Sequence, residues 1–292
     1  MRNVLTVSVF ALVIGAASVA SAATWHVNPA GGADATTIQA GINLAANGDV
    51  VIVAQGTYTG FGNRAINFSG KNITVMSESG PQYTIVDCQG LGLGFQFVTN
   101  ETNAAVLDGF TIKNGAANKG AGVLIDSASP TVRYCIISAC AVTGIGGGIS
   151  VKKGDPNIYS NTLDGNSAAL GGGGISLGAL THAHLWQNLV CNSTAGGGIA
   201  CGSAMTGTSV ACNDFFNNTG GNAVCIGDAG NNFAMDPLFC GTVGSGNFSI
   251  HDTSPCSATY SPCQANVGAL GPQCQVTATQ PVTWGKVKSM YR

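Results

Sequence analysis

Apolar and polar residues alternate in short bursts along most of this chain, and the bursts repeat. Gly122-Val123-Leu124-Ile125, Gly148-Ile149-Ser150-Val151, Gly174-Ile175-Ser176-Leu177 and Gly198-Ile199-Ala200-Cys201 write one phrase at intervals of 24–26 residues. Alternation with period two marks a strand, and one short strand per repeat of this length predicts a solenoid. Overlaying the repeats puts Val123, Ile149, Ile175 and Ile199 in one inward column and Ile125, Val151, Leu177, Cys201 and Cys225 in a second. Leu124, Ser150, Ser176 and Ala200, lying between them, are expected to face outward. The column Gly122, Gly148, Gly174 and Gly198, continued by Asn222, is expected to be a corner with left-handed backbone, which Gly and then Asn tolerate best.

A second phrase follows in each coil: Val132-x-x-Cys135, Ile158-x-x-Asn161, Leu185-x-x-Asn188 and Val210-x-x-Asn213. It predicts that Asn161, Asn188 and Asn213 stack and hydrogen-bond along the axis, with Cys135 in their place one coil earlier. Leu163, Val190 and Phe215 then turn back inside, which gives a short third strand. Pro130 and Pro156 stand just before the second strand, where a missing N–H is tolerated. Parallel pairing of roughly eight coils at about 4.8 Å each gives a rod on the order of 40 Å long.

The ends differ from this body. Residues 23–48 are expected to form an N-terminal cap, with a strand at Trp25-His26-Val27 and an amphipathic helix in which Thr37 precedes Ile38, Ile42 and Ala45. The repeats then run over 49–235. Residues 236–275 are rich in turns and cysteine and are expected to form a disulfide-containing C-terminal cap. A Thr/Gln/Pro linker and a short basic tail occupy 276–292.

Ser129-Pro130-Thr131-Val132-Arg133-Tyr134-Cys135-Ile136-Ile137-Ser138 and Ile158-Tyr159-Ser160-Asn161-Thr162-Leu163-Asp164-Gly165-Asn166, bracketed by the Gly-Gly-Ile-Ser phrases, resemble repeats of the right-handed parallel β-helix of the pectin-lyase-like superfold. The start, from Thr37-Ile38-Gln39-Ala40 to Gly56-Thr57-Tyr58, is similar to how such chains begin, and the resemblance covers about residues 25–275. It implies an all-β, right-handed solenoid. It does not imply an activity, because that fold hosts lyases, hydrolases, esterases and adhesins. The tail Thr283–Arg292 resembles terminal tails of secreted bacterial β-helix-repeat proteins, which implies sorting or anchoring; a free end or a docked helix are the alternatives.

Composition narrows the partners. Charged residues are only 8% of the chain, the net charge is −2, and no basic run exists, so electrostatic nucleic-acid binding is not expected. Arg2, the apolar stretch Val4 to Val19 and Ala20-Ser21-Ala22 read as a signal peptide over 1–22, giving a secreted or cell-surface protein with no membrane span after cleavage. The eleven cysteines are an odd number in a compartment that permits disulfides. Cys240–Cys256 and Cys263–Cys274 are the expected pairs, closing short loops in the C-terminal cap. Cys135 with Cys140, and Cys201 with Cys225, are further possibilities, the last two equally well buried thiols.

No catalytic residue is assigned. Polysaccharide hydrolysis needs two carboxyls across the scissile bond. The phrases that polygalacturonase-like β-helix hydrolases carry (Asn-Thr-Asp, Asp-Asp, Gly-His-Gly, Arg-x-Lys) are missing, with Asn161-Thr162-Leu163 placing Leu where the acid belongs. Lyase chemistry needs clustered acids for Ca²⁺ and a basic proton acceptor. Asp126 and Lys152, with Lys153 and Asp155 nearby, are expected to be surface pairs instead, and Glu78 and Glu101 are the only glutamates. No cofactor or metal site is evident, and Ca²⁺ enters only under a lyase alternative.

The best binding candidate is the outward column Arg133, Tyr159 and Trp186, flanked by His184 and His182. Aromatic rings stack on flat sugar faces and Arg holds a carboxylate, so the column suits a glycan; plain cross-strand packing is the competing reading. The sequence thus reads as a monomeric, secreted or surface β-helix protein, non-catalytic, binding extracellular polysaccharide or cell-surface glycan or serving a structural or adhesive role. The alternative is a polysaccharide lyase or glycoside hydrolase of pectin-lyase-like type.

Overall fold

The computed structural model describes residues 21–203, 207–222, 228–241 and 246–275. Most of the expected signal peptide, Cys225 and the tail lie outside these residues.

The chain is a parallel β-solenoid of about nine coils with three long sheets of nine, seven and six strands. Sheet I runs from Thr24–Val27 through Val50–Val53, Thr74–Ser77, Val106–Asp108, Thr131–Arg133, Asn157–Tyr159, His184–Trp186 and Ser209–Ala211 to Asp228–Gly230. Sheet II carries the strands that follow, from Gly56–Tyr58 to Asp214–Phe216. Sheet III carries the Gly-phrase strands and ends at Ile199–Cys201. The expected register holds residue by residue: Val123 pairs with Ile149, Ile149 with Ile175, and Ile175 with Ile199. These side chains, with Val132, Ile158 and Leu185 of sheet I and Ile137, Leu163 and Val190 of sheet II, belong to one buried cluster extending from Val27 to Phe215. Phe68, Phe95, Phe97 and Phe110 fill the tube in the earlier coils, and the Phe68 and Phe97 rings lie 4.3 Å apart.

The strand Thr24–Val27 pairs with Val50–Val53, so the N-terminal segment supplies the first rung of sheet I. A short helix, Ile38–Leu44, follows it. Thr37 is its N-cap, accepting the Ala40 N–H through its hydroxyl, and Ile38 and Ile42 are fully buried in the common core.

The asparagine stack is present and longer than expected. The Nδ2 of Asn161 donates to Asn188 Oδ1 at 3.0 Å, Asn188 to Asn213 at 2.9 Å, and Asn213 to Asn232 at 3.0 Å. Each Oδ1 also accepts the backbone N–H of the coil before it, beginning with Cys135 N–H on Asn161 at 2.9 Å. The residue just before each of these positions (Tyr134, Ser160, Gln187, Cys212 and Asn231) has φ between 51° and 58°. Left-handed backbone is costly for residues with a Cβ and persists only where its surroundings hold it. The amide ladder is what holds this corner.

That finding corrects the expected role of the glycine column. Gly122, Gly148, Gly174 and Gly198 do not have positive φ. They are glycines because backbones approach closely: a Cβ on Gly148 would lie 2.7 Å from Gly174 O and 2.8 Å from Leu163 Cδ2. The outward Ser150 beneath this turn is 1% exposed, covered by Gly146, rather than open to solvent.

The C-terminal segment folds back along the flank. Gly268 N–H donates to Gln187 O and Ala269 N–H to Thr162 Oγ1, both on the sheet II side of the rod. Ile250, Cys256 and Val267 pack on the outward side chains Leu189 and Cys191 of sheet II. This docking explains why the expected cystines are wrong. Cys263 joins Cys212 of the body, Cys240 joins Cys274, and Cys256 is a free buried thiol. A segment laid against the rod has its nearest cysteine partners far away in sequence, 51 and 34 residues here. Cys135 and Cys140 are also unpaired and buried, whereas Cys201 is disulfide-bonded.

Asn188→Ala is expected to lower unfolding stability by about 2–3 kcal/mol in denaturant titration, because it strands buried amide partners on both neighbouring coils. Lys152→Ala, which removes an exposed ion pair, is expected to cost less than about 1 kcal/mol.

Candidate functional site

Strand alternation sends residues 131 and 133 of one coil outward, and parallel register repeats them on the next. Arg133 therefore sits on Tyr159, and Tyr159 on Trp186. The structure brings these three expected residues together and adds a fourth, Asp108, one coil earlier in register with Arg133. Arg133 Nε and Nη2 each lie 2.8 Å from Asp108 Oδ2, and Nη1 donates to Tyr159 Oη at 3.1 Å. The Tyr159 and Trp186 rings stack with centroids 4.3 Å apart and planes 11° from parallel. Tyr134, at the left-handed corner, meets the Tyr159 ring edge-on at 6.0 Å and is 43% exposed. The result is a continuous ladder from carboxylate to guanidinium to phenol to indole.

Asp108 and Tyr134 were the members missed from sequence. Val106-Leu107-Asp108 matches Thr131-Val132-Arg133 at a separation of 25, the one signal that would have found Asp108. His184 lies on the same outward face, exposed, in a parallel column with Thr131, Asn157 and Ser209. His182 is not part of that column; its Nδ1 lies 2.8 Å from Asp155.

Of the other charged candidates, Asp126 and Lys152 form the expected surface pair, and Asp155 pairs with His182. Lys152 Nζ is 2.7 Å from Asp126 Oδ2, and the bond from Lys152 holds the Asp126 carboxyl below its ordinary range. Among the described residues no three His, Cys, Asp or Glu side chains gather into a metal-binding group.

A different titratable site, not expected from sequence, lies under the C-terminal segment. Asp214 is fully buried at the end of sheet II, 3.1 Å from Cys256 Sγ and accepting the Met235 N–H at 3.1 Å. Burial pushes its carboxyl up to about 7 despite those two hydrogen bonds, and Asp236 adds repulsion. The same burial raises the Cys256 thiol. Farther along this flank, Gln82, Thr111, Lys113, Ser138, Asp164 and Phe248 line a cavity of about 380 Å³.

The sign of the Asp214 effect follows from its raised value. The unfolded chain ionises this group near 3.8, whereas the folded chain keeps the proton to about 7. Its contribution to stability is full at low pH and is lost as pH rises through that window. Asp49, held low by the N–H groups of Ala46, Trp25 and Ala23, acts in the opposite sense at lower pH. Chemical denaturation of the wild type between pH 4 and 8 is expected to show stability falling with pH, and Asp214→Asn is expected to flatten the fall.

No family model matches this chain, and no curated protein matches its sequence.

Proposed function

We propose that this protein is an exported, non-catalytic β-solenoid that binds extracellular polysaccharide or cell-surface glycan through the outward face of sheet I. The observation that carries this reading is the Asp108–Arg133–Tyr159–Trp186 ladder, which places aromatic rings on consecutive rungs of a parallel sheet. Beside it runs the column Asn157, His184 and Ser209, whose side chains offer hydrogen bonds to hydroxyl groups. Rings for apolar sugar faces next to neutral polar groups for hydroxyls is the chemistry that recognises carbohydrate. Export is supported by the leader-like N-terminus and by the Cys212–Cys263 and Cys240–Cys274 disulfides, which persist in oxidising compartments. No helix among the described residues is long and apolar enough to cross a membrane.

The rival reading, a pectin-lyase-like lyase or hydrolase, needs carboxylates free to act beside the rings. The ladder holds one carboxylate, Asp108, and Arg133 already engages it.

A glycan array with the purified mature chain tests the proposal. Binding without release of unsaturated uronides or reducing ends, with and without Ca²⁺, is expected. Tyr159→Ala and Trp186→Ala are expected to weaken binding roughly ten- to thirtyfold, the size of an aromatic hot spot. Product release by the wild type would replace this reading with the enzymatic one.

A further inference from the structure

The ladder has a direction, and its two ends differ. At one end Arg133 is already paired: each of its three guanidinium nitrogens contacts Asp108 or Tyr159, and the Asp108 carboxylate balances its charge. A ligand carboxylate there would meet a cation whose charge another carboxylate already balances. At the other end the rings stop abruptly. One face of Trp186 is covered by Tyr159, and the next residues in the same column are Ala211 and then Gly230. A methyl group and a hydrogen follow an indole over two rungs, about 10 Å of axis. Among the described residues this leaves a notch against the second face of Trp186. His184 on the same strand and Ser209 on the next stand beside it, two residues along the same outward face.

Resting on the proposed glycan reading, we infer that the notch over Ala211 takes a neutral pyranose ring and not a uronic one. The ring lies flat on the free face of Trp186, continuing the stack by one rung, and its hydroxyls meet His184 and Ser209. The stack with Tyr159 fixes the indole orientation before any ligand arrives. Ala211 acts as the specificity-determining residue because its small side chain is what keeps the position vacant.

The test titrates the mature chain with cellohexaose, mannohexaose, xylohexaose and hexagalacturonate by calorimetry, with tryptophan fluorescence as a second readout. At least one neutral oligosaccharide is expected to bind more tightly than hexagalacturonate and to change the fluorescence. Ala211→Phe fills the notch and leaves Asp108, Arg133, Tyr159 and Trp186 in place; it is expected to weaken that binding roughly tenfold or more. Trp186→Leu removes the platform without filling the notch and is expected to do the same, both with unchanged far-UV circular dichroism. Tighter binding of hexagalacturonate than of every neutral probe, or undiminished binding by Ala211→Phe, overturns this inference and leaves the glycan reading standing. Failure of all four probes to bind overturns this inference, and a blank glycan array overturns the glycan reading with it.

Discussion

The constraint on which this molecule depends is parallel, in-register stacking. Each side chain has as its closest neighbours the residues one coil before and one coil after it, about 4.8 Å away. A column must therefore tolerate its own repetition. Aliphatic columns do so by packing, and Val123, Ile149, Ile175 and Ile199 line the tube in this way. Amides do so by donating and accepting at once. Charges do so only by alternating in sign, as in Asp87 with Lys113, Asp108 with Arg133, and Asp126 with Lys152. The scarcity of charge in the whole chain, 8% of residues, follows from the same rule, since a column of like charges would repel at every rung.

Corners are where stacking is hardest, because the backbone must turn without losing its partners. The turn from sheet I to sheet II places a left-handed residue at each of Tyr134, Ser160, Gln187, Cys212 and Asn231, none of them glycine. The asparagine that follows the last four donates from Nδ2 to a carbonyl of the preceding coil, as Asn188 does to Ile158 O at 2.8 Å. Its Oδ1 takes the N–H of that coil as well. Local strain and an axial ladder thus occupy adjacent positions, and each supports the other. Asn166 plays the same part at the next corner, accepting the Cys140 N–H at 2.9 Å.

What the sequence revealed and what it hid divide along this line. Columns with a steady interval were legible, because period alone identifies which residues overlie: the sheet III phrase, Asn161 with Asn188 and Asn213, and Arg133 with Tyr159 and Trp186. Asp108 was hidden because the interval from Gly94 to Gly122 is 28, which obscures the 25-residue step from Asp108 to Arg133. The Gly122–Gly198 column was seen but misread, since a glycine required by close approach and one required by positive φ are written with the same letter. The cystine pattern was not legible at all. It depends on where the C-terminal segment docks, and the determinants of that docking, Leu189 and Cys191 on the outward face of sheet II, look in sequence like more of the core.

Packing and recognition need not be rivals at the aromatic column. Rings that stack along the rod axis spend their faces on each other, so Tyr159 and Trp186 keep their edges, and Trp186 the face toward Ala211, for other contacts. A stacked aromatic pair contributes on the order of 1 kcal/mol beyond its buried area. That contribution also restricts the indole to one orientation, which lowers the ordering cost of anything that later lies against it. The position after such a row is then decisive. A large residue there would close the stack and leave a purely structural spine, whereas the alanine that follows Trp186 leaves the same spine open at one rung. On this argument the size of residue 211, more than the identity of the rings, separates a structural ladder from a binding one.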